Sequence, residues 1–187
     1  MLLKFPALLL GLLLTASTPT EHKLNWDPAK KLTWTHFQGA PESGSQYAAM
    51  TRIDMSIQQG STSRHDAIEL IVLAELVTNG SWVKPDKKTD VILAHEQGHF
   101  DIAEYHARRL RKELLERAPF TADRLNEEVD AIFDRIFLEK EQMQQEYDQQ
   151  TDHSMVRETQ LAWEQRIVHL LDSLSDHTSP NVLLTLK

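Results

Sequence analysis

The stretch Thr89-Asp-Val-Ile-Leu-Ala-His95-Glu-Gln-Gly-His99-Phe-Asp-Ile-Ala-Glu104 decides how the chain is organised. Thr89 or Asp90 can cap a helix, and the Lys and Arg residues that precede Ala118-Pro119 suit the C-terminal end of one. We therefore predict a long helix from this cap to about Arg117. Two histidines four positions apart lie about 40° from each other around a helix, so both imidazoles can reach one cation.

The pattern His95-Glu96-x-x-His99 predicts a zinc site that does chemistry. The two histidines would bind Zn²⁺, and Glu96 is next to them as a general base for water held by the metal. Zinc lowers the pKa of such a water to about 7, so amides or esters can be hydrolysed without a cysteine or serine nucleophile. The sequence thus predicts Zn²⁺ as the cofactor, with His95 and His99 as ligands.

A zinc site needs a third protein ligand, and several residues are candidates. His106 lies about 10 Å beyond His99 on a straight helix, which is too far, and we expect it to be partly exposed. Glu104 points about 180° away from His95. If the next helix folds back around Pro119, its far end returns to this site. We therefore favour His153 over the glutamates at positions 104, 139 and 146, and we expect Tyr147 to assist as an oxyanion donor.

The rest of the chain indicates an α+β fold, in which a small antiparallel sheet is followed by a helical subdomain. Alternating apolar residues predict strands at 32–37, 47–58 and 67–77, and Gly60-Ser-Thr-Ser63 predicts a turn joining the last two as an antiparallel pair. Helical spacing predicts two further helices, from Thr121 to about Gln149 and from Met155 to about Leu174. The last residues, 179–187, look like a tail.

Composition limits the classes of function. The 187 residues include 20 Lys and Arg against 28 Asp and Glu, a formal charge of −8, so a nucleic-acid partner is not expected. The chain has no cysteine, which excludes disulfides, thiolate metal sites and thiol catalysis.

The N-terminus has the pattern of a secretory signal peptide. Lys4 precedes the apolar block Phe5–Leu14, which is too short to span a membrane, and small residues follow. We predict a signal peptide at 1–18, one domain at 19–178, and a protein exported to the periplasm or beyond, without a stable membrane anchor after cleavage.

Three blocks of the sequence resemble a bacterial family of exported zincin-like proteins, catalogued as domain of unknown function 922. They are Leu32-Thr-Trp-Thr-His-Phe-Gln-Gly39 with Tyr47-Ala-Ala-Met50, His95–Glu104, and Tyr147-Asp-x-x-Thr-x-His153 with Gln160-x-x-Trp163. Two positions depart from the family pattern: His36 replaces an acidic residue, and Ser154 replaces a glycine after His153.

The resemblance implies a zincin-like fold and a zinc-dependent peptidase, with His95 and His99 as ligands, Glu96 as the base, and Tyr147, Asp148 and His153 placed together. We therefore expect an exported zinc metallopeptidase acting on a peptide or protein substrate, which could pair with strand 67–77 or its neighbour. The alternative is a zinc-binding or structural envelope protein without turnover. The intact Glu96 argues against this alternative, since a pure binding site needs no base.

Overall fold

The computed structural model describes residues 20–187, so the predicted signal peptide at 1–18 lies outside the described residues. Within them, the α+β prediction is confirmed: a small antiparallel sheet is combined with three long helices. The strands are β1 (Lys23–Asn25), β2 (Ala49–Met50), β3 (Ile53–Gln59), β4 (Ala67–Val77), β5 (Trp82–Val83) and β6 (Asn181–Thr185). The helices are α1 (Asp90–Arg117), α2 (Leu125–Thr151) and α3 (Arg157–Asp172).

Strand β4 is the centre of the main sheet. It pairs antiparallel with β3 on one side, with Met55 opposite Ala74, as the alternating pattern predicts. On its other side it pairs with β1 near its C-terminal end and with β6 near its N-terminal end. Strands β2 and β5 form a separate two-stranded ladder. Because β4 is paired along both sides, the open edges of the main sheet among the described residues belong to its neighbours β1, β3 and β6.

Helix α1 lies between the sheet and the other two helices. Thr89 caps it by accepting a hydrogen bond from the Ile92 amide, as predicted. Ala103, Ala107 and Leu110 belong to a core shared with the sheet. Ile102 belongs instead to a second core with residues of α2 and α3, namely Met143, Tyr147, Trp163, Ile167 and Leu171. The helix that carries His95 and His99 is therefore held on both sides.

Two of the predicted elements are wrong. Residues 32–37 do not form a strand; Trp34–His36 is a turn of 3₁₀ helix, because the Leu32 amide donates to the side chain of Gln97 on α1 rather than to a strand. Residues 179–187 are not a tail, since Asn181–Thr185 is strand β6, with Val182 and Leu184 buried against the core.

Among residues 20–187, no helix combines the length and the apolar character needed to cross a membrane.

Candidate metal centre

Helices α1 and α2 bring three possible metal ligands together. The Nε2 atoms of His95 and His99 lie 3.2 Å apart. Asp148 Oδ1 lies 3.1 Å from the first and 3.0 Å from the second. As expected, α2 folds back after Pro119 so that its C-terminal end lies beside the N-terminal part of α1. His95, His99 and Asp148 form a cluster that could hold a metal ion, although nothing in the cluster identifies zinc.

The spacing of these three atoms fits a small tetrahedral cation. Donors that lie about 2.0–2.1 Å from an ion at tetrahedral angles are about 3.3 Å from each other. The observed separations of 3.0–3.2 Å are close to this value. Two imidazole nitrogens and one carboxylate are also a donor set that catalytic zinc sites use. The residues present therefore fit a zinc ion, which needs no further protein ligand if water takes the fourth position.

The charges of the cluster are strongly coupled. Burial alone would raise the pKa of Asp148, but hydrogen bonds from His95 and His99 hold it well below its ordinary value. Burial would likewise lower the pKa of His99, but the carboxylates of Asp148 and Glu96 outweigh this effect and raise it. The carboxylates of Asp148 and Glu96 thus create a local negative potential that favours a bound cation.

Close packing of α2 on α1 depends on Gly98. A Cβ added at this position would lie only 2.4 Å from the hydroxyl oxygen of Tyr147. The Tyr147 ring stacks on the His95 ring, with 4.6 Å between centroids, and its hydroxyl donates to the His95 carbonyl oxygen at 3.2 Å. Within the His-Glu-Gln-Gly-His segment, Gly98 is therefore required for helix packing, whereas the histidines and Glu96 are the groups that can do chemistry.

The structure places Tyr147 behind the histidines, not beside a substrate. Its side chain is fully buried and does not line the cavity that reaches the cluster. Burial raises its pKa well above the ordinary value, so the hydroxyl stays protonated and serves as a donor. Tyr147 was expected to assist as an oxyanion donor; in this position it supports His95 instead.

Glu96 faces a cavity of about 430 Å³ next to the cluster. The hydroxyl of Thr51, between β2 and β3, donates to Glu96 Oε2. Glu96 is only 5 % exposed, so its carboxylate has little freedom. Besides α1, the cavity is lined by β2 and its adjoining residues, β3, β5 and α2, including Tyr47, Met50, Ile53, Trp82, Lys140 and Gln144.

His153 lies at the edge of the cluster and is not one of its three members. Its Nδ1 is 3.3 Å from Asp148 Oδ1, and its ring packs edge-on against Tyr47 with 5.0 Å between centroids. It is half-exposed and lines the cavity. The resemblance correctly implied that Tyr147, Asp148 and His153 lie together. The prediction that His153 is a ligand stays a prediction, because the structure places a nearer donor, Asp148, between it and the histidine pair.

The other candidate ligands face elsewhere. Glu104 is buried and accepts hydrogen bonds from Arg108 and Arg111. Glu139 pairs with arginines, and Glu146 accepts from Gln150. His106 was expected to be partly exposed, but it is buried at 2 % exposure because α1 is covered on both sides.

Sequence reasoning did not select Asp148 as a donor, although a signal was available. Positions 140, 144, 147 and 148 lie on one face of a helix, at spacings of four, seven and eight. A carboxylate beside the buried Tyr147 on this face must point towards α1.

Comparison with known proteins supports the resemblance in part. Residues 74–154 match the model of a family described as "Bacterial protein of unknown function (DUF922)". The match includes α1, the histidine pair, Asp148 and His153, and ends before α3. No curated protein and no solved structure matches the chain.

Proposed function

We propose that this protein is a zinc-dependent metallopeptidase of the zincin-like type, exported from the cell. The observation that carries the proposal is the convergence of His95 Nε2, His99 Nε2 and Asp148 Oδ1 within 3.0–3.2 Å of one another, beside a cavity that contains the carboxylate of Glu96. A binding site alone needs the three donors. The fourth group, a buried carboxylate next to them in the cavity, is what hydrolysis requires.

The donor set accounts for binding, and Glu96 accounts for the proton transfers. A zinc ion held by this set supplies a Lewis acid that activates water and polarises a carbonyl group. Oε2 of Glu96 accepts a hydrogen bond from Thr51, so Oε1 is the oxygen that takes a proton from the attacking water. Glu96 then delivers that proton to the leaving amine. The hydrogen bond from Thr51 keeps the carboxylate in one orientation through both transfers.

The shape of the cavity favours an extended peptide as substrate. Residues 47–53, which comprise β2 and the start of β3, form one wall, and α2 forms the other. An extended segment next to a cavity can pair with an incoming strand through main-chain hydrogen bonds. Strands β2 and β3 can do this because each pairs with a single strand, whereas β4 is paired on both sides.

The metal content of the purified mature protein tests the binding part of the proposal. We expect one zinc per chain by mass spectrometry, loss of that zinc in Asp148→Ala, and retention in the matched control Asp134→Ala, an exposed position on the same helix. His153→Ala distinguishes the two candidate third ligands. Zinc retained in His153→Ala assigns Asp148, whereas zinc lost in His153→Ala but kept in Asp148→Ala reverses the assignment.

The variant Glu96→Gln tests the catalytic part. We expect it to bind zinc as the wild type does and to lose peptidase activity by about 10²–10⁴-fold, the range that general acid–base catalysis contributes. Zinc binding without hydrolysis of any peptide in a broad library by the wild type would favour the alternative, a non-catalytic zinc-binding envelope protein. The mass of the secreted protein's N-terminal peptide tests export and cleavage near residue 18.

A further inference from the structure

Each of the two histidines contacts a glutamine through its other ring nitrogen. His95 Nδ1 lies 3.1 Å from Oε1 of Gln160, which comes from α3. His99 Nδ1 lies 2.6 Å from Oε1 of Gln144, which comes from α2. Gln160 is fully buried, so this contact has no competition from solvent.

The orientation of both amides is fixed by a carboxylate, a main-chain carbonyl and the Tyr147 hydroxyl, which accepts here because its own proton goes to the His95 carbonyl. The Nε2 of Gln160 donates to the carboxylate of Glu164 at 3.0 Å and to the Tyr147 hydroxyl at 2.8 Å. The Nε2 of Gln144 donates to the main-chain carbonyl of His99 at 2.9 Å. Exchanging oxygen and nitrogen in either amide would place two donors, or two acceptors, face to face. Oxygen therefore faces the ring nitrogen in both cases.

An amide oxygen only accepts, so each ring has a proton on Nδ1. The two Nε2 atoms lie 3.2 Å apart beside the carboxylate of Asp148, to which a charged ring can also donate. A cation held by the cluster would take the place of that second proton. We propose that Gln144 and Gln160 are positioning residues that hold Nδ1 of His99 and His95 and so present both Nε2 atoms to one cation. The positioning role stands on the geometry of the two amides, whereas the identity of the cation as zinc rests on the proposed function.

The two partners are amides, whereas a carboxylate is another common partner of a metal-binding histidine. An amide orients the ring without adding charge, so among the three donors and their two supports only Asp148 is negative. Replacing Gln144 by glutamate keeps the acceptor for His99 Nδ1 and adds a charge, but it loses the donor to the His99 carbonyl. This variant should therefore bind the cation more tightly than Gln144→Leu, which removes the acceptor as well.

Nitrogen and proton NMR of labelled histidines in the zinc-loaded protein tests the two contacts directly. We expect both rings of the wild type to have a proton on Nδ1, shifted downfield by its hydrogen bond to the glutamine. Gln144→Leu should move the His99 proton upfield and leave that of His95 unchanged, and Gln160→Met should do the reverse. The control Gln145→Leu, at an exposed neighbouring position, should change neither ring. Either ring of the wild type without a proton on Nδ1 would overturn the inference.

Zinc affinity, measured by competition with a chelator dye, gives the second readout. Loss of an outer partner costs about 10–100-fold in metal affinity. We expect a loss of this size for Gln144→Leu and a smaller loss for Gln144→Glu, with both variants folded by circular dichroism. An affinity unchanged in Gln144→Leu would refute the positioning role and leave the proposed function intact. A wild type that binds another divalent cation but no zinc would refute the proposed function, and the same variants measured with that cation would still test the positioning role.

Discussion

Replacing Gly98 by alanine should destabilise the protein, although the same change stabilises an ordinary helix. At an open helical position glycine is about 1 kcal/mol less favourable than alanine. At Gly98 the new Cβ would lie 2.4 Å from the Tyr147 hydroxyl oxygen and 2.8 Å from the ring carbon that bears it. Ordinary carbon–carbon contacts are about 3.5–4.0 Å.

The tyrosine cannot move aside easily. Its ring is stacked on His95 and lies 5.3 Å from the Trp163 ring, and its hydroxyl is hydrogen-bonded on both sides. Overpacking of this kind costs up to about 3 kcal/mol, so after the gain of about 1 kcal/mol in helix propensity we expect a net loss of up to about 2 kcal/mol for Gly98→Ala. Because Tyr147 supports His95, zinc affinity should fall as well.

Urea unfolding followed by circular dichroism measures this loss. Ala131→Gly, at an exposed position of α2, calibrates helix propensity in the same protein and should cost about 1 kcal/mol. In a Tyr147→Phe background the nearest clashing atom is gone, so the cost of Gly98→Ala should shrink. An increase in the free energy of unfolding on Gly98→Ala would refute the close approach of the two helices.

Three further predictions concern positions away from the donors. Ser154 has a positive φ of 75°, so Ser154→Gly should raise the free energy of unfolding by about 1 kcal/mol, and a lower melting temperature would contradict this. Burial lowers the pKa of His106 to about 4, so the unfolded chain takes up this proton first as the pH falls from about 6.5 to about 4. Stability should therefore decrease across that range by up to about 3 kcal/mol, and His106→Gln should remove this part of the pH dependence in unfolding titrations. Glu104→Ala leaves Arg108 and Arg111 buried without their carboxylate, so it should lower the free energy of unfolding in urea by about 3–5 kcal/mol. The folded fraction of this variant should keep its zinc. A stable variant that binds no zinc would instead make Glu104 a ligand.

Elements with a strong local pattern could be predicted from the sequence. Strand β4 begins and ends at the predicted residues because its apolar run is bounded by turn residues. The start of α1 is determined by a local cap, the Thr89 side chain. Helix α2 begins at Leu125, four residues after the predicted start at Thr121, although Thr121 is also a good cap. Local signals define such elements and leave their ends less certain.

Elements formed by distant partners could not be predicted in the same way. Strand β6 is short and exists because it pairs with β4, more than a hundred residues earlier in the chain. The segment at Leu32 alternates like a strand, but its amide donates to Gln97 on α1. In both cases the deciding hydrogen bonds come from residues that no local window contains.

The residues of the candidate site also differ in whether local sequence or distant contacts determine their positions. The pairing of His95 and His99 follows from the helical repeat alone. The choice between Asp148 and His153 depends on the rotation of α2 about its axis, which packing around Tyr147 and Gly98 determines. Three successive residues with positive φ, Asp152 to Ser154, then turn the chain so that His153 comes back beside Asp148. The resemblance correctly grouped Tyr147, Asp148 and His153, but the packing of the helices is what places Asp148 nearest to the histidine pair.

Because the donors are far apart in the chain, a bound metal ion should stabilise the folded state as a whole. His95 and Asp148 are separated by 53 residues, and the glutamine that holds His95 lies 65 residues away on α3. Unfolding separates all of these groups, so the unfolded chain keeps little of the affinity. A cation present at about 100 times its dissociation constant would then stabilise the folded state by about 2.7 kcal/mol. Asp148→Ala should abolish this gain, and a melting temperature that zinc leaves unchanged would mean that the cluster does not bind it.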